Sequence, residues 1–121
     1  MLGLLGNARI FLYRGATDMR KSFDGLCGMI EQHFSLSVMS GNVFVFVNRR
    51  RDRVKLLYFD GDGLAIFYKR LEKGTFRVPV GPEGEAELSS AELSMLLEGI
   101  TPLRVGRRWQ APRRAAEGTG T

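Results

Sequence analysis

The sequence predicts an α+β fold: an N-terminal strand and amphipathic helix, a four-stranded antiparallel β-meander, a short C-terminal helix and a basic flexible tail. Three observations predict it. Apolar residues recur at helical spacing up to Phe34, the period shortens toward two from Val43, and a helix-capping signature precedes a leucine stripe near Leu93. The 121 residues, 44% hydrophobic and 26% charged, suit one domain with a modest core over residues 1–103, leaving 104–121 as the tail.

"ARIFLY" (8–13) reads as the first strand, and "RGAT" turns the chain into a helix starting near Thr17 or Asp18, either of which can accept from the free N–H groups of a first turn. Met19, Phe23, Leu26, Cys27, Ile30 and Phe34 then share one helical face, with Arg20, Lys21, Asp24, Glu31 and Gln32 elsewhere, so the helix should run to about His33. Gly25 and Gly28 weaken it and suggest close packing against another element.

"VFVFV", "RVKLLYF", "LAIFYKRL" and "TFRVPV" are β-branched or aromatic runs separated by the turn-like "NRRRD", "DGDG" and "EKG". The simplest register places Phe44, Phe46, Leu56, Tyr58, Ile66 and Tyr68 on one face, and Val45, Val47, Leu57 and Phe67 on the other with Lys55 and Lys69. Both faces are partly apolar and require cover. In "LSSAELSMLLEGI", Ser89 and Glu92 form an S-x-x-E capping box, Leu88 and Leu93 a staple around it, and Leu93, Leu96, Leu97 and Ile100 an inward stripe closed by Gly99. "GRRWQAPRRAAEGTGT" reads as a mobile basic tail.

Catalytic and metal chemistry find little support. Cys27 is the sole cysteine and His33 the sole histidine, which removes intrachain disulfides, multi-cysteine metal sites and paired-imidazole schemes. His33 suits a helix C-terminus and Cys27 a buried stripe. Asp60 and Asp62 in "DGDG" lack the later ligands of a calcium loop and fit a tight turn. The spacing of Asp18, Asp24, Asp60, Asp62 and Glu72 does not impose a two-metal site. No cofactor is implied. The apolar "MLGLLGN" lacks the basic leader and cleavage site of a signal peptide, and no run approaches a membrane span, so a soluble cytoplasmic protein is expected.

Charge is the stronger signal. The net charge is +5, and it is segregated: residues 49–77 are strongly basic, while 78–103 hold five Glu and no Lys or Arg. "NRRRDRVK" (48–55) puts five basic residues into eight positions directly after an apolar strand. Arg49, Arg50, Arg51 and Arg53 lie at one hairpin and Lys69, Arg70 and Lys73 near the next turn but one, with Arg53 and Lys55 expected alongside Lys69 and Arg70. Like charges set side by side oppose folding unless an anion or water relieves them. A phosphate-facing patch and a solvated edge that blocks aggregation both satisfy that requirement.

"TDMRKSFDGL", "NVFVFVNRRRDRVKLLYFDGDGLAIFYKRLEKGTFRVP" and "LSMLLEGI", in that order, resemble the Orf2-like, TnpB-type accessory protein of the IS-66 family of bacterial insertion sequences over residues 8 to 101. Where this family commonly carries tryptophan, the chain has Phe59 and Val78, which keep those sites hydrophobic. The resemblance implies a small protein encoded beside a larger transposase and needed for efficient movement of the element, distinct from the far larger RNA-guided nuclease that shares the TnpB name. The expected function is then non-catalytic: contact with DNA, or with the transposase–DNA complex, through Arg49, Arg50, Arg51, Arg53, Lys55, Lys69, Arg70 and Lys73, with Arg20 and Lys21 as weaker candidates. The rival is an adaptor that docks on the transposase through sheet residues and the acidic 83–98 segment without touching DNA, since arginines pair with carboxylates as readily as with phosphates. The sequence leaves oligomeric state open.

Overall fold

A computed structural model describes residues 6–79, 81–82 and 84–99. Their order is β1 (Ile10–Ala16), α1 (Phe23–His33), a single 3-10 turn (Val38–Ser40), β2 (Val43–Val47), β3 (Arg53–Phe59), β4 (Leu64–Arg70), β5 (Glu85–Leu88) and α2 (Ser90–Glu98). The fold is α+β, but the sheet is a mixed, five-stranded one with the spatial order β4-β3-β2-β1-β5. Only β2, β3 and β4 form the expected meander; β1 runs parallel to β2, and β5 runs antiparallel to β1.

The expected fourth meander strand, "TFRVPV", does not form: its described residues, 75–79, contain one isolated bridge at Thr75 and no strand. Pro79 has no N–H to offer a ladder. The Phe76 N–H donates instead to the Arg51 carbonyl at 2.7 Å and the Arg77 N–H to the Leu96 carbonyl at 3.3 Å. This stretch thereby crosses toward α2 and buries Phe76 and Val78 in the core. Its place as an outer strand is taken by "EAEL", whose Ala86 and Leu88 alternate with exposed Glu85 and Glu87.

Parallel pairing of β1 with β2 requires a crossover, and α1 supplies it. The helix lays Leu26, Met29 and Ile30, followed by Phe34, on Phe11, Phe44, Phe46 and Leu57. On the other face Leu93, Leu96 and Leu97 of α2 meet Ile10, Leu12, Val43, Val45, Val47, Val54 and Leu56. The sheet is therefore covered on both sides, which is why "VFVFV" is buried at every position.

Helix α1 starts later than the sequence suggests. Thr17 is drawn to the sheet, its N–H donating to the Val47 carbonyl at 2.8 Å. Asp18 is used in a turn: Oδ1 accepts the Arg20 N–H at 2.9 Å, and the Asp18 carbonyl accepts the Lys21 N–H at 3.1 Å. The first helical bond runs from the Leu26 N–H to Ser22, which sits at the N-cap without a side-chain cap bond. Phe23, expected on the inward stripe, is 42% exposed, and Met29 is buried in its stead. In β1, Arg14 and Gly15 are extra residues between Tyr13, opposite Phe46, and Ala16, opposite Val47. A Cβ at Gly15 would lie 2.8 Å from the outer end of the Tyr13 ring, so a larger residue there would require that ring to shift.

The second helix follows the sequence closely. Ser89 accepts the Glu92 N–H at 3.0 Å, the Glu92 carboxylate accepts the Ser89 N–H at 2.7 Å, and Leu93, Leu96 and Leu97 face inward. Ile100 and the tail over 104–121 lie outside the described residues.

Candidate nucleic-acid interface

The arginine turn is built by Asn48. Its N–H donates to the Arg53 carbonyl at 3.1 Å, extending the β2–β3 ladder by one pair and leaving Arg49–Asp52 as the turn. Val47 consequently faces Val54 and Phe46 faces Lys55, one residue from the simplest register. A slip of one reverses every side chain of the strand. β3 alone is reversed relative to expectation: Lys55 and Leu57 share the α1 face with Phe44, Phe46, Ile66 and Tyr68, while Leu56 and Tyr58 share the α2 face with Val45, Val47 and Phe67.

The turn backbone is locked from two sides. Asn48 Oδ1 accepts the N–H groups of Asp52 and Arg53 at 3.1 and 2.9 Å, and its Nδ2 donates to Asp52 Oδ1 at 2.7 Å. That last bond holds the Asp52 carboxyl below its ordinary pKa, with Arg50 and Arg53 adding to the effect. From the other side, the Leu71 N–H donates to the Asp52 carbonyl at 2.8 Å and the Phe76 N–H to Arg51. Arg51 is held at φ 60°, a left-handed conformation unusual for a residue with a long side chain. The loop that carries Lys73 is thus bonded at both ends to the turn that carries the arginines.

Arg49, Arg50, Arg51, Arg70 and Lys73 are exposed, and Arg53 is half-buried. Arg53 sits directly opposite Arg70 across the β3–β4 pair. Arg70 lies 3.4 Å from Glu72, and Arg53 Nη1 donates weakly to the Tyr68 hydroxyl at 3.4 Å. Among the described residues, Arg49, Arg50, Arg51, Arg53 and Lys73 form no ion pair.

Two residues expected in the basic patch are committed to other contacts, Lys55 buried and Lys69 half-buried. Lys55, 7% exposed, donates to the carbonyls of Met19 and Lys21 at 2.9 and 2.6 Å, and its ammonium lies 4.7 Å from the centre of the Tyr68 ring. The register slip is the cause, since it turns Lys55 under the segment leading into α1. Lys69 points to the opposite face and donates to the Leu97 carbonyl at 3.2 Å, satisfying one of the free carbonyls at the end of α2. Arg20 forms a bidentate pair with Asp18, Nη2 donating to Oδ2 at 2.6 Å and Nε to Oδ1 at 3.1 Å, which holds the Asp18 carboxyl at about 2 through the hydrogen bonds from Arg20. Asn48 and Asp52, which fix the whole arrangement, were hidden in the "N…D" bracket around the arginines. An asparagine four residues before an aspartate at a hairpin is the signal that could have found them.

The opposite end of the sheet is acidic. Glu87 of β5 accepts from Arg9 at 2.8 and 2.9 Å, which lowers its carboxyl pKa, and Glu85 is exposed two residues earlier. Between α1 and the 3-10 turn lies an open groove of about 480 Å³ lined by residues including Cys27, Phe34 and Met39; the Cys27 thiol is pushed up in pKa, mainly by burial. Among the described residues, no three carboxylate, imidazole or thiol groups converge on a possible metal position, and no helix is long and apolar enough to cross a membrane.

Two proteins of Sinorhizobium fredii are similar in sequence: uncharacterized protein y4hO, 38% identical over 94 residues covering 78% of this chain and 82% of that protein, and uncharacterized protein y4jC, 32% identical over 108 residues covering 89% and 92%. No solved structure matches the chain. The family model described as IS66 Orf2 like protein matches residues 8–107, a span that includes both helices, the sheet and the arginine turn. This chain therefore belongs to the IS66 Orf2-like family, whose members are TnpB-type accessory proteins of transposition.

Proposed function

We propose that this protein works without catalysis and contacts DNA, or the DNA of the transposase–DNA complex, through Arg49, Arg50, Arg51, Arg53, Arg70 and Lys73. Lys55 and Lys69 serve this surface as internal braces. The observation that carries the reading is the rigid arginine turn: three consecutive exposed arginines without ion pairs among the described residues, on a backbone fixed by Asn48, Asp52 and the 71–76 loop. Packing cations this closely is unfavourable in isolation and favourable against phosphates, which are spaced along a backbone and release counterions when neutralised. A rigid turn also avoids ordering four long side-chain bases on binding.

The test is titration of the purified protein onto a labelled duplex at stepped salt concentrations. Binding that weakens steeply with salt is expected, and no binding at low salt to the duplex or to a single strand of it overturns the reading. A second reading, an adaptor for the transposase encoded by the same element, is favoured by one feature: Met95 of α2 is 51% exposed between Glu92 and Glu98, an apolar anchor in an acidic surround. Loss of transposase capture on Met95→Asp, with DNA binding intact, would assign that face to protein contact.

A further inference from the structure

We propose that Tyr68, assisted by Phe23, stacks against an unpaired base, so that the DNA held beside the arginine turn is single-stranded or locally opened. The inference rests on the phosphate-contact reading above and specifies the form of nucleic acid. Tyr68 is 48% exposed although it belongs to a sheet strand covered by helices elsewhere. One side of its ring is occupied by the Lys55 ammonium, 4.7 Å from the ring centre, and Lys55 is buried, so this is the inner side and the outer side is open. Its hydroxyl meets Arg53 at 3.4 Å, and Arg70, two residues along the same strand and therefore on the same face, stands directly opposite Arg53. An open aromatic face thus lies next to a cross-strand pair of arginines on the same face of the sheet.

Phe23 adds a second ring, 42% exposed at the first position of α1. It follows by two residues Lys21, whose carbonyl takes the same Lys55 ammonium at 2.6 Å, so the segment leading into Phe23 is anchored on the cation that lies beneath the Tyr68 ring. Phosphate contact alone gives no reason for half-exposed rings among cations. In a duplex the base faces are stacked on each other and cannot use them, whereas an unpaired strand offers both phosphates for the arginines and π faces for the rings.

The experiment compares a labelled thymidine oligonucleotide with a duplex of the same length by fluorescence anisotropy at fixed salt, for the wild type, Tyr68→Leu and Tyr68→Phe. Losing one base stack should weaken oligonucleotide binding by roughly tenfold in Tyr68→Leu while duplex affinity stays within about twofold, and Tyr68→Phe should behave as wild type. Equal losses on both nucleic acids, or no loss on the oligonucleotide, overturn the stacking role. Wild-type binding to the duplex but not to the oligonucleotide overturns this inference and leaves the phosphate-contact reading standing; binding to neither overturns both. Should Tyr68→Leu fail to fold, photo-crosslinking of the wild type to a 5-bromodeoxyuridine oligonucleotide decides: a crosslink at Tyr68 or Phe23 supports the proposal, and crosslinks only elsewhere overturn it.

Discussion

Replacing Lys55 separates a brace from a phosphate contact. Its stem is buried and its ammonium is shared between two carbonyls and the Tyr68 ring. Truncation to Ala removes three methylenes, about 0.8 kcal/mol each, and two hydrogen bonds from a charged donor, roughly 1.5–3 kcal/mol each. Against this stands the recovered desolvation of the ammonium, several kcal/mol. The net cost of Lys55→Ala is then about 2–4 kcal/mol. Lys55→Met keeps most of the stem and should cost about 2 kcal/mol less, since the polar losses and the desolvation gain largely offset each other. For a domain of this size 1 kcal/mol corresponds to about 4–8 °C in Tm, so thermal denaturation followed by circular dichroism resolves the two variants. The same proteins are titrated with duplex DNA. Lys55→Met should leave the salt slope unchanged; a slope flattened by about 0.9, the contribution of one phosphate contact, would show that the ammonium reaches DNA and would refute its role as an internal brace.

Leu96 is 1% exposed beneath α2, and Leu96→Ala should cost about 2–5 kcal/mol by denaturant unfolding; an unchanged midpoint would mean α2 is not packed on the sheet. The Asp18 carboxyl, held at about 2 by its bonds from Arg20, is depressed in the folded state, so its contribution to stability is present above the unfolded pKa and lost as pH falls from about 4 toward 2. Arg20→Ala should raise that carboxyl part of the way toward the usual range in an NMR titration, the backbone N–H of residue 20 still donating to Oδ1, and a value unchanged by the substitution would contradict the side-chain pairing. Purified protein should not cleave DNA with magnesium or manganese; cleavage abolished by Asp60→Ala with Asp62→Ala would restore a metal-dependent reading of the "DGDG" turn.

Local signals were legible and remote ones were not. The capping box at Ser89 and Glu92, the leucine stripe behind it and the Asp60–Gly63 turn were all set by residues within a few positions of one another, and the structure contains them as read. Nothing local says that β1 will pair parallel to β2, because alternation along a strand identifies its faces but not its neighbour. "EAEL" was missed because two of its four residues are glutamates of low strand propensity, and its position beside β1 rather than its composition makes it a strand. "TFRVPV" misled for the opposite reason: its residues suit a strand, but Pro79 and the hydrogen bonds to Arg51 and Leu96 use its backbone elsewhere. In the basic surface the arginines were readable as a cluster. The fates of Lys55 and Lys69 were not, since a single added ladder pair at Asn48 decides which face Lys55 occupies.

The central claim is that the arginine turn meets phosphates. It is tested most directly by the salt dependence of duplex binding for the wild type beside Arg49→Ala with Arg50→Ala, two exposed positions whose side chains make none of the bonds that lock the turn. Each phosphate contact contributes roughly 0.9 to the negative log–log slope, so the double variant should flatten the slope by up to about 2 and weaken binding to all sequences alike, at an unchanged melting temperature. An unchanged affinity and slope would contradict the claim, and loss of transposase binding in the same variant would assign the turn to a carboxylate-bearing protein partner.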